Sequence, residues 1–423
     1  MKMDITALLT INATVIIAVI VLVSLKYGTV LHPVSFLGAQ FSVWTVLSPL
    51  LYLRLRALVV SEDGLKRTLL LSALYCAALG VAYWLKFSPL RSPLEALVRV
   101  SRPFIIAKRS DLTGLGMKLL VLQFIALYIT LMVTSGAGLL WLTDPREAYQ
   151  HYRGGVGVWW SLAQATLVLL FVAGLFRREH TRLRVFVETL FFSAVAFFLG
   201  SKGAVLFYLV LATFYVHFCI REIRTRMLVL GSLLLLSLIT ALQVIQHTAD
   251  TVLDAFKYFD QFNTSAAFLD HFHHRGFQYG RITISNLWYY VPRGLYSAKP
   301  FAYGANALLN WINPGFESIA RRTGFTPGML PWVVGYADFG AVGVMVAGAV
   351  TAWISKVAFE YFLDNRDFLS FFLMAQLGFP ISFEAFGNAP FPVFWAWFMA
   401  EGMVFWLLRT MSPRYSTLAI AAE

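Results

Sequence analysis

The chain has 423 residues, of which 59% are hydrophobic and 13% are charged. A soluble domain has about 45–50% apolar and about 25% charged residues, so this composition excludes an ordinary soluble protein and indicates a bilayer. The formal net charge of +12 would suggest nucleic acid as a partner of a soluble protein. Here the basic residues lie mostly at the ends of apolar runs, which indicates anionic lipid as the partner and no nucleic acid.

Several apolar runs approach or exceed the roughly 20 residues that a helix needs to cross the hydrocarbon layer. We therefore predict an all-α fold: a polytopic membrane helix bundle of about eleven transmembrane helices, within a range of ten to twelve. Residues 1–423 form one membrane domain, and the first run is read as a retained span and not as a signal peptide. The predicted spans are 5–25, 29–53, 69–85, 119–142, 158–176, 185–200, 204–220, 227–246, 331–354, 368–383 and 393–408.

The basic residues of the short loops predict the orientation of these spans. If the C-terminus is cytoplasmic, the short cytoplasmic loops hold 19 Lys and Arg and the opposite short loops hold 8. The positive-inside rule therefore favours the orientation with a cytoplasmic C-terminus. Residues 247–330, between spans eight and nine, then form a long extracytoplasmic loop. This loop is too aromatic for a disordered linker, so we expect it to be partly helical and to fold over the membrane domain.

The segment DPREAYQHYRGGVG, residues 144–157, is the first polar stretch with candidate chemistry. The pair Gly154-Gly155 frees the backbone beside Arg153, so Arg153 is a candidate for contact with an anion. A glycine turn with one arginine is, however, common in any loop.

The segment FLGSKGAVLFYLVL, residues 198–211, predicts a tight turn at Gly200–Gly203 between two apolar runs. Lys202 then lies at the membrane boundary. Its ammonium group can snorkel to lipid phosphate, or it can receive the pyrophosphate of a lipid-linked ligand.

The run DHFHH, residues 270–274, groups histidines inside the long loop. A zinc site needs three or four convergent ligands, which this run does not predict, so no metal is expected. His274, His271 or Asp270 can act as a general base at neutral pH, and the alternative is that these histidines face solvent.

The segment NLWYYVPRGLYSAKPFAYG, residues 286–304, combines two cations, two prolines and six aromatic rings without an acid. The cations Arg293 and Lys299 suit phosphate oxygens. The rings can stack on the faces of sugars, or they can form an interfacial aromatic belt whose neighbouring cations meet lipid phosphates. The candidate rings are Trp288, Tyr289, Tyr290 and Tyr296.

Asp338 lies in VGYADFGAVG, near the start of the ninth predicted span. An ionisable group at membrane depth suggests function. The glycines around it, Gly335, Gly340, Gly343 and Gly348, favour close helix packing, which is the interpretation we prefer for this helix.

The order of these motifs resembles the Wzy-type bacterial polymerases of O-antigen and exopolysaccharide repeat units. The resemblance is carried by the His32-Pro33 pair, GSKG at 200–203, VPRGLYSAKP at 291–300 in the long loop, and YADFGAVG at 336–343. These motifs follow the family's order over most of the chain. The usual arginine of the GSKG turn is replaced by Lys202, which keeps the charge but loses the bidentate fork.

The resemblance implies a multi-pass glycosyltransferase of the bacterial inner membrane that joins oligosaccharide repeat units carried on undecaprenyl pyrophosphate at the periplasmic face. No phosphate loop, dinucleotide fingerprint, HExxH or GxSxG motif is present, and the implied reaction needs neither nucleotide nor metal, so no cofactor is expected. The pyrophosphate-binding positions implied are Lys202, Arg293 and Lys299, then Arg281 and Arg275, with Arg153 as a further candidate. A chain-length regulator and a flippase are candidate partners.

Three alternatives stay open. An O-antigen ligase would use the same donor but would hand the finished glycan to lipid A core. A lipid-linked oligosaccharide flippase would predict internal pseudo-symmetry and a charged central cavity. A membrane scaffold for polysaccharide assembly would tolerate the loss of Lys202 and Arg293.

Overall fold

The computed structural model describes most of the chain up to residue 378. The described residues are 4–50, 60–85, 115–152, 157–177, 181–200, 202–231, 261–272, 275–290, 298–300, 302–316 and 328–378, with the single residues 92, 233, 237, 296 and 318. Within them the fold is helical and contains no strand, as the sequence predicts.

Fifteen helices, α1 to α15, follow one another in the described residues. The first nine are α1 Ile5–Tyr27, α2 Pro33–Ser42, α3 Glu62–Trp84, α4 Leu115–Thr134, α5 Leu140–Thr143, α6 Pro145–Tyr152, α7 Gly157–Arg177, α8 Arg182–Phe197 and α9 Lys202–Tyr215. The others are α10 at 225–231, α11 Gln261–Phe272, α12 Arg281–Ser285, α13 Ala305–Ile312, α14 Val333–Asn365 and α15 Phe368–Leu373. Three of them, α2, α9 and α15, continue into π-helical turns at Val43–Leu47, Val216–Ile220 and Met374–Gly378.

Five helices in the described part of the chain are long and apolar enough to cross a membrane, which supports the prediction of a membrane protein. Helices also occupy most of the other predicted spans, although they are shorter or only partly described. The predicted span 393–408 lies outside the described residues. The five segments are Ile5–Tyr27, Glu62–Trp84, Met117–Thr134, Trp159–Phe176 and Val333–Asn365.

Local capping signals explain where several helices begin. The side chain of His32 accepts a hydrogen bond from the amide of Val34, and Pro33 occupies the first helical turn of α2. Ser61 caps α3 through the amide of Gly64, and two acids follow it in the first turn. Asp367 and Ser370 form a reciprocal capping box at the start of α15.

Helix α3 packs in parallel against the second half of α14. A Cβ atom at Gly348 would lie 2.6 Å from the carbonyl oxygen of Tyr75, so only glycine permits this close approach. The hydroxyl of Tyr75 donates to Thr351, and Lys356 donates to the carbonyl oxygen of Leu85 beyond the end of α3. The preference for close packing around these glycines is confirmed at Gly348.

Helix α14 is broken near its beginning. Phe339 (φ −137°, ψ 15°) and Gly340 (φ 62°, ψ −146°) leave the helical conformation, so residues 333–338 and 341–365 are separate helical segments. A Cβ atom at Gly343 would lie only 1.9 Å from the carbonyl oxygen of Gly335. Since residues eight apart in a straight helix are about 12 Å from each other, the two segments lie side by side around a sharp turn.

The parallel packing gives the bundle two distinct ends. The Lys356 end holds the C-terminal ends of α1, α3 and α14: Lys26 donates to the carbonyl oxygen of Tyr83 at 3.3 Å, and Tyr27 donates to Glu360 at 2.6 Å. His32 lies here as well, hydrogen-bonded to the hydroxyl of Tyr83. Two lysines therefore reach the terminal carbonyl groups of α3, where the helix dipole favours positive charge. At the opposite end of the bundle lie the start of α3, at Ser61, and the break in α14. It is called the Asp338 end.

Candidate functional site

Asp338 organises the end of the bundle that is named after it. This carboxylate is fully buried and accepts hydrogen bonds from the amides of Ile282 and Thr283, at 3.0 and 2.8 Å, and from the Thr283 hydroxyl at 2.6 Å. Asp338 therefore caps α12, a short helix of the long loop, with two backbone donors and one side-chain donor. Its charge is used to hold the loop on the membrane domain.

The loop also closes the broken end of α14. The amides of Gln278 and Tyr279 donate to the carbonyl oxygens of Ala337 and Asp338, at 2.9 and 3.0 Å. These carbonyl groups lie in the last turn before the break, where a helix generally leaves its carbonyl oxygens without intrahelical donors. These hydrogen bonds support the prediction that part of the 247–330 loop folds over the membrane domain.

Tyr296 and Gly304 both contact the segment formed by α12 and the 3₁₀ turn Asn286–Tyr290 that follows it. The Ser285 hydroxyl accepts a hydrogen bond from the amide of Gly304 at 2.8 Å. The rings of Trp288 and Tyr296 stack at a centroid distance of 5.4 Å and an interplanar angle of 16°. The amide of Lys299 donates to the carbonyl oxygen of Tyr296 at 3.1 Å, which places Lys299 next to the stacked pair.

Two cations of the loop lie on aromatic rings. The ammonium nitrogen of Lys299 is 5.0 Å from the centroid of Tyr303, and the guanidinium carbon of Arg275 is 5.3 Å from that of Trp311. Both distances are within the range of a cation–π contact. Tyr303 and Trp311 were not among the predicted site residues, because no short motif links them to the cations that they contact. Arg281, the first residue of α12, is exposed.

The predicted GSKG turn contacts the predicted 144–157 segment. Residues 198–200 form a turn, α9 begins at Lys202, and Gly200 has a φ of +72°. A Cβ atom at Gly200 would lie 2.3 Å from the carbonyl oxygen of Pro145 and 2.4 Å from Cβ of Tyr149, so no larger residue fits there. This turn lies at the Asp338 end, because α9 continues to His217, whose ring contacts Thr29 at the Lys356 end (3.1 Å).

Arg146 is a cation beside this turn that the motif reading did not single out. Its guanidinium donates to the carbonyl oxygen of Gly200 at 3.4 Å and lies 5.7 Å from the ring centroid of Tyr149. Arg146 and Tyr149 are three residues apart on α6, a spacing that puts them on one helix face. That spacing is the sequence signal that identifies the pair.

The candidate bases differ in what their polar atoms contact. The carboxylate of Asp270 accepts hydrogen bonds from the amide of Ser61 at 2.8 Å and from the Ser61 hydroxyl, at the start of α3. His271 is exposed, and its Nδ1 lies 2.8 Å from the carbonyl oxygen of Ala267. In the neutral ring Nδ1 then carries the proton and Nε2 is the basic nitrogen, which suits a general base.

Several predicted site residues lie outside what the structure describes. These are Arg153, His274 and Arg293, together with the side chains of Lys202, Tyr289 and Tyr290.

The charge pattern of the loop is one-sided. Between Asp270 and Glu317 the sequence holds four Arg and Lys and no acid. A surface built from this segment attracts anions over a distance comparable with the Debye length, about 8–10 Å at physiological salt. The described part of the site thus combines stacked aromatic rings with positive charge.

Comparison of the chain with protein-family models, with curated proteins and with solved structures finds no match in any of the three. The functional assignment therefore depends on the sequence motifs and on the geometry of the Asp338 end.

Proposed function

We propose that the protein is an integral membrane glycosyltransferase that polymerises oligosaccharide repeat units carried on undecaprenyl pyrophosphate. The observation that carries the proposal is the stacked Trp288–Tyr296 pair next to Lys299. Aromatic faces bind the apolar faces of sugar rings, and ammonium and guanidinium groups bind pyrophosphate, so this combination suits a glycan joined to a pyrophosphate.

The contacts of the loop with the membrane domain support the same conclusion. The segment that carries the rings and cations is held beside the break in α14 by its hydrogen bonds to Asp338, so it lies against the Asp338 end of the bundle. A lipid-linked substrate has its reactive bond at this boundary between bilayer and water. The Gly200 turn, which precedes Lys202, is at the same end of the bundle.

The proposed reaction follows from the chemistry of the donor. The bond between the anomeric carbon and the pyrophosphate oxygen breaks, and the acceptor hydroxyl oxygen forms the new glycosidic bond. Cations such as Lys299, Arg293 and Lys202 stabilise the negative charge on the leaving undecaprenyl pyrophosphate. The proton of the acceptor hydroxyl passes to a base, for which His271 offers Nε2.

The proposal includes a location and an orientation. The Asp338 end faces the periplasm, the Lys356 end faces the cytoplasm, and the bundle of about eleven spans lies in the bacterial inner membrane with its C-terminus inside. Lys26 and Lys356, which the positive-inside rule assigns to one side, lie together at the Lys356 end, and this supports the orientation.

The decisive experiment measures elongation in liposomes supplied with labelled undecaprenyl-pyrophosphate repeat units. We expect Lys299→Ala and Arg293→Ala to lower the rate of elongation about ten- to hundredfold, since a charge-assisted hydrogen bond contributes about 1.5–3 kcal/mol. Lys66→Ala is the matched control, because Lys66 is also at the Asp338 end but pairs with Glu62. Its rate should equal that of the unsubstituted protein.

The product distinguishes the alternatives. Long glycan on undecaprenyl pyrophosphate supports the polymerase. When lipid A core is also supplied, transfer of glycan to it would identify a ligase. Translocation of labelled units without elongation would identify a flippase, and either result contradicts the proposal.

A further inference from the structure

The outward face of α12 is apolar and has no protein covering it in the described residues. Ile284 is 63% exposed and Leu287 is 58% exposed, whereas Ile282 and Asn286 on the opposite face are buried. The exposed positions are three residues apart, so they form one stripe along the helical turn. Arg281 begins this stripe, and the half-buried Trp288 lies beside its far end.

This stripe continues onto α14. A Cβ atom placed on Gly280 would lie 3.4 Å from the ring of Phe339 and 4.0 Å from Cδ1 of Ile284. Both side chains are therefore close to Gly280 and are neighbours of each other. Phe339 is 51% exposed, and the next turns of α14 expose Val342 and Val346, which are 60% and 54% exposed. Val342 and Val346 belong to a helix that is long and apolar enough to cross the membrane, and there the apolar exposed face meets acyl chains.

The charges around the stripe fit a phospholipid surface. A stripe of two aliphatic side chains between an arginine and a tryptophan is the pattern of an interfacial helix, in which the cation reaches lipid phosphate and the indole lies at headgroup level. The absence of any acid between Asp270 and Glu317 removes the charge that an anionic membrane surface would repel.

We infer that α12 and the following 3₁₀ turn form an interfacial wedge, with Ile284 and Leu287 inserted among the acyl chains of the bilayer leaflet at the Asp338 end. Arg281 lies at the phosphate level of that leaflet. The Asp338 cap joins the N-terminal end of α12 to the spanning helix α14, and the contact of Arg281 with lipid phosphate limits how deeply the stripe enters the leaflet. This inference concerns bilayer lipid and does not depend on the proposed enzymatic activity.

The test is nitroxide accessibility in phosphatidylethanolamine and phosphatidylglycerol vesicles that contain the full chain. Single cysteines are introduced as Ile284→Cys and Leu287→Cys after replacement of the two native cysteines, Cys76 and Cys219, by alanine. Val346→Cys is the control for acyl chains, and Ser318→Cys, at an exposed loop position, is the control for water. Each labelled position is scored by whether oxygen or a water-soluble nickel chelate relaxes the nitroxide more strongly.

We expect the labels at 284 and 287 to prefer oxygen, as the label at 346 does. A preference for the nickel chelate at both positions, as at 318, would overturn the inference. Because both side chains are already exposed, the labels replace no core contact, and a monodisperse elution profile confirms folding. If one labelled variant does not fold, the result at the other position decides.

A second measurement tests the role of Arg281. Replacing it in the 284-labelled protein by Arg281→Gln should move the label toward the acyl-chain centre, because the cation no longer holds the helix end at the phosphate level. The same substitution should have no effect in vesicles of a neutral, phosphate-free glycolipid. An equal shift in both kinds of vesicle would contradict the assignment of Arg281 to lipid phosphate.

Discussion

Two carboxylates at the Asp338 end each accept hydrogen bonds at the beginning of a helix. Asp338 accepts from the first turn of α12, and Asp270 accepts from Ser61 at the start of α3. A sequence shows acids of this kind only as isolated charges, because their donors are 55 and 209 residues away in the chain. The cap made by Asp338 was therefore not predicted. The packing role preferred for the α14 glycines is confirmed by the contact at Gly348.

The hydrogen bonds of Asp270 to Ser61 favour a structural role of this residue over a catalytic role. We expect Asp270→Asn to keep elongation within about tenfold of the original rate, because the amide side chain still accepts from Ser61. The loss of a general base would instead cost about 10²–10⁴ in rate. Asp270→Ala should lower the free energy of unfolding by about 1–2 kcal/mol, measured by thermal unfolding in detergent.

Ser61→Ala provides the matched partner of this experiment. If the two side chains stabilise each other, the double variant should lose less stability than the sum of the two single variants. A fall in elongation of more than about a hundredfold in a folded Asp270→Asn variant would restore Asp270 as the base.

At the scale of elements, apolar length predicted the five described helices that are long enough to span a membrane, but it predicted their ends less well. The run 69–85 was predicted to begin seven residues after the actual start of α3, because charged residues at 62–67 resemble a loop. The Ser61 cap with acids in the first turn contained the missing signal. The break in α14 could not be read from the sequence, since residues 331–354 are interrupted by only one charged residue, Asp338, and the turn depends on the contact of two glycines.

The close contact between the two segments of α14 predicts that Gly343 cannot be replaced by a larger residue without loss of stability. Gly343→Ala should lower the free energy of unfolding by more than about 2 kcal/mol, because the new methyl group meets the backbone carbonyl of Gly335 and cannot rotate away. Gly231→Ala in α10 is the control, because the added carbon would meet open space there. That substitution should be neutral or slightly stabilising, by up to about 1 kcal/mol.

Thermal unfolding of both variants in the same detergent checks this comparison. Equal stability of the Gly343→Ala and Gly231→Ala proteins would contradict the close contact at residues 335 and 343.

At the scale of the whole molecule, the structure assigns residues to one end of the bundle or the other, and the positive-inside rule predicts which side of the membrane each end faces. Predicted loops on the same side, such as those of Lys26 and Lys356, do meet in the structure. Five of the eleven predicted spans coincide with long apolar helices of the described residues, and the last predicted span lies outside them.

Labelling of intact cells tests the orientation of the two ends. In the cysteine-free background, Ser318→Cys should react with a membrane-impermeant maleimide added outside, because residue 318 is exposed in the long loop. Asn365→Cys, exposed at the end of α14, should react only after the membrane is opened. Reaction of both positions from the same side would contradict the two-ended arrangement, and reversed reactivity would contradict the periplasmic placement of the loop.

The acid-free stretch between Asp270 and Glu317 determines which solution condition should affect the binding of an anion to this surface. The segment holds four arginine and lysine residues and no carboxylate that could offset their charge. The surface that it forms is therefore positive. Dissolved salt shortens the reach of fixed charges, so capture of an anion here should weaken as the salt concentration rises.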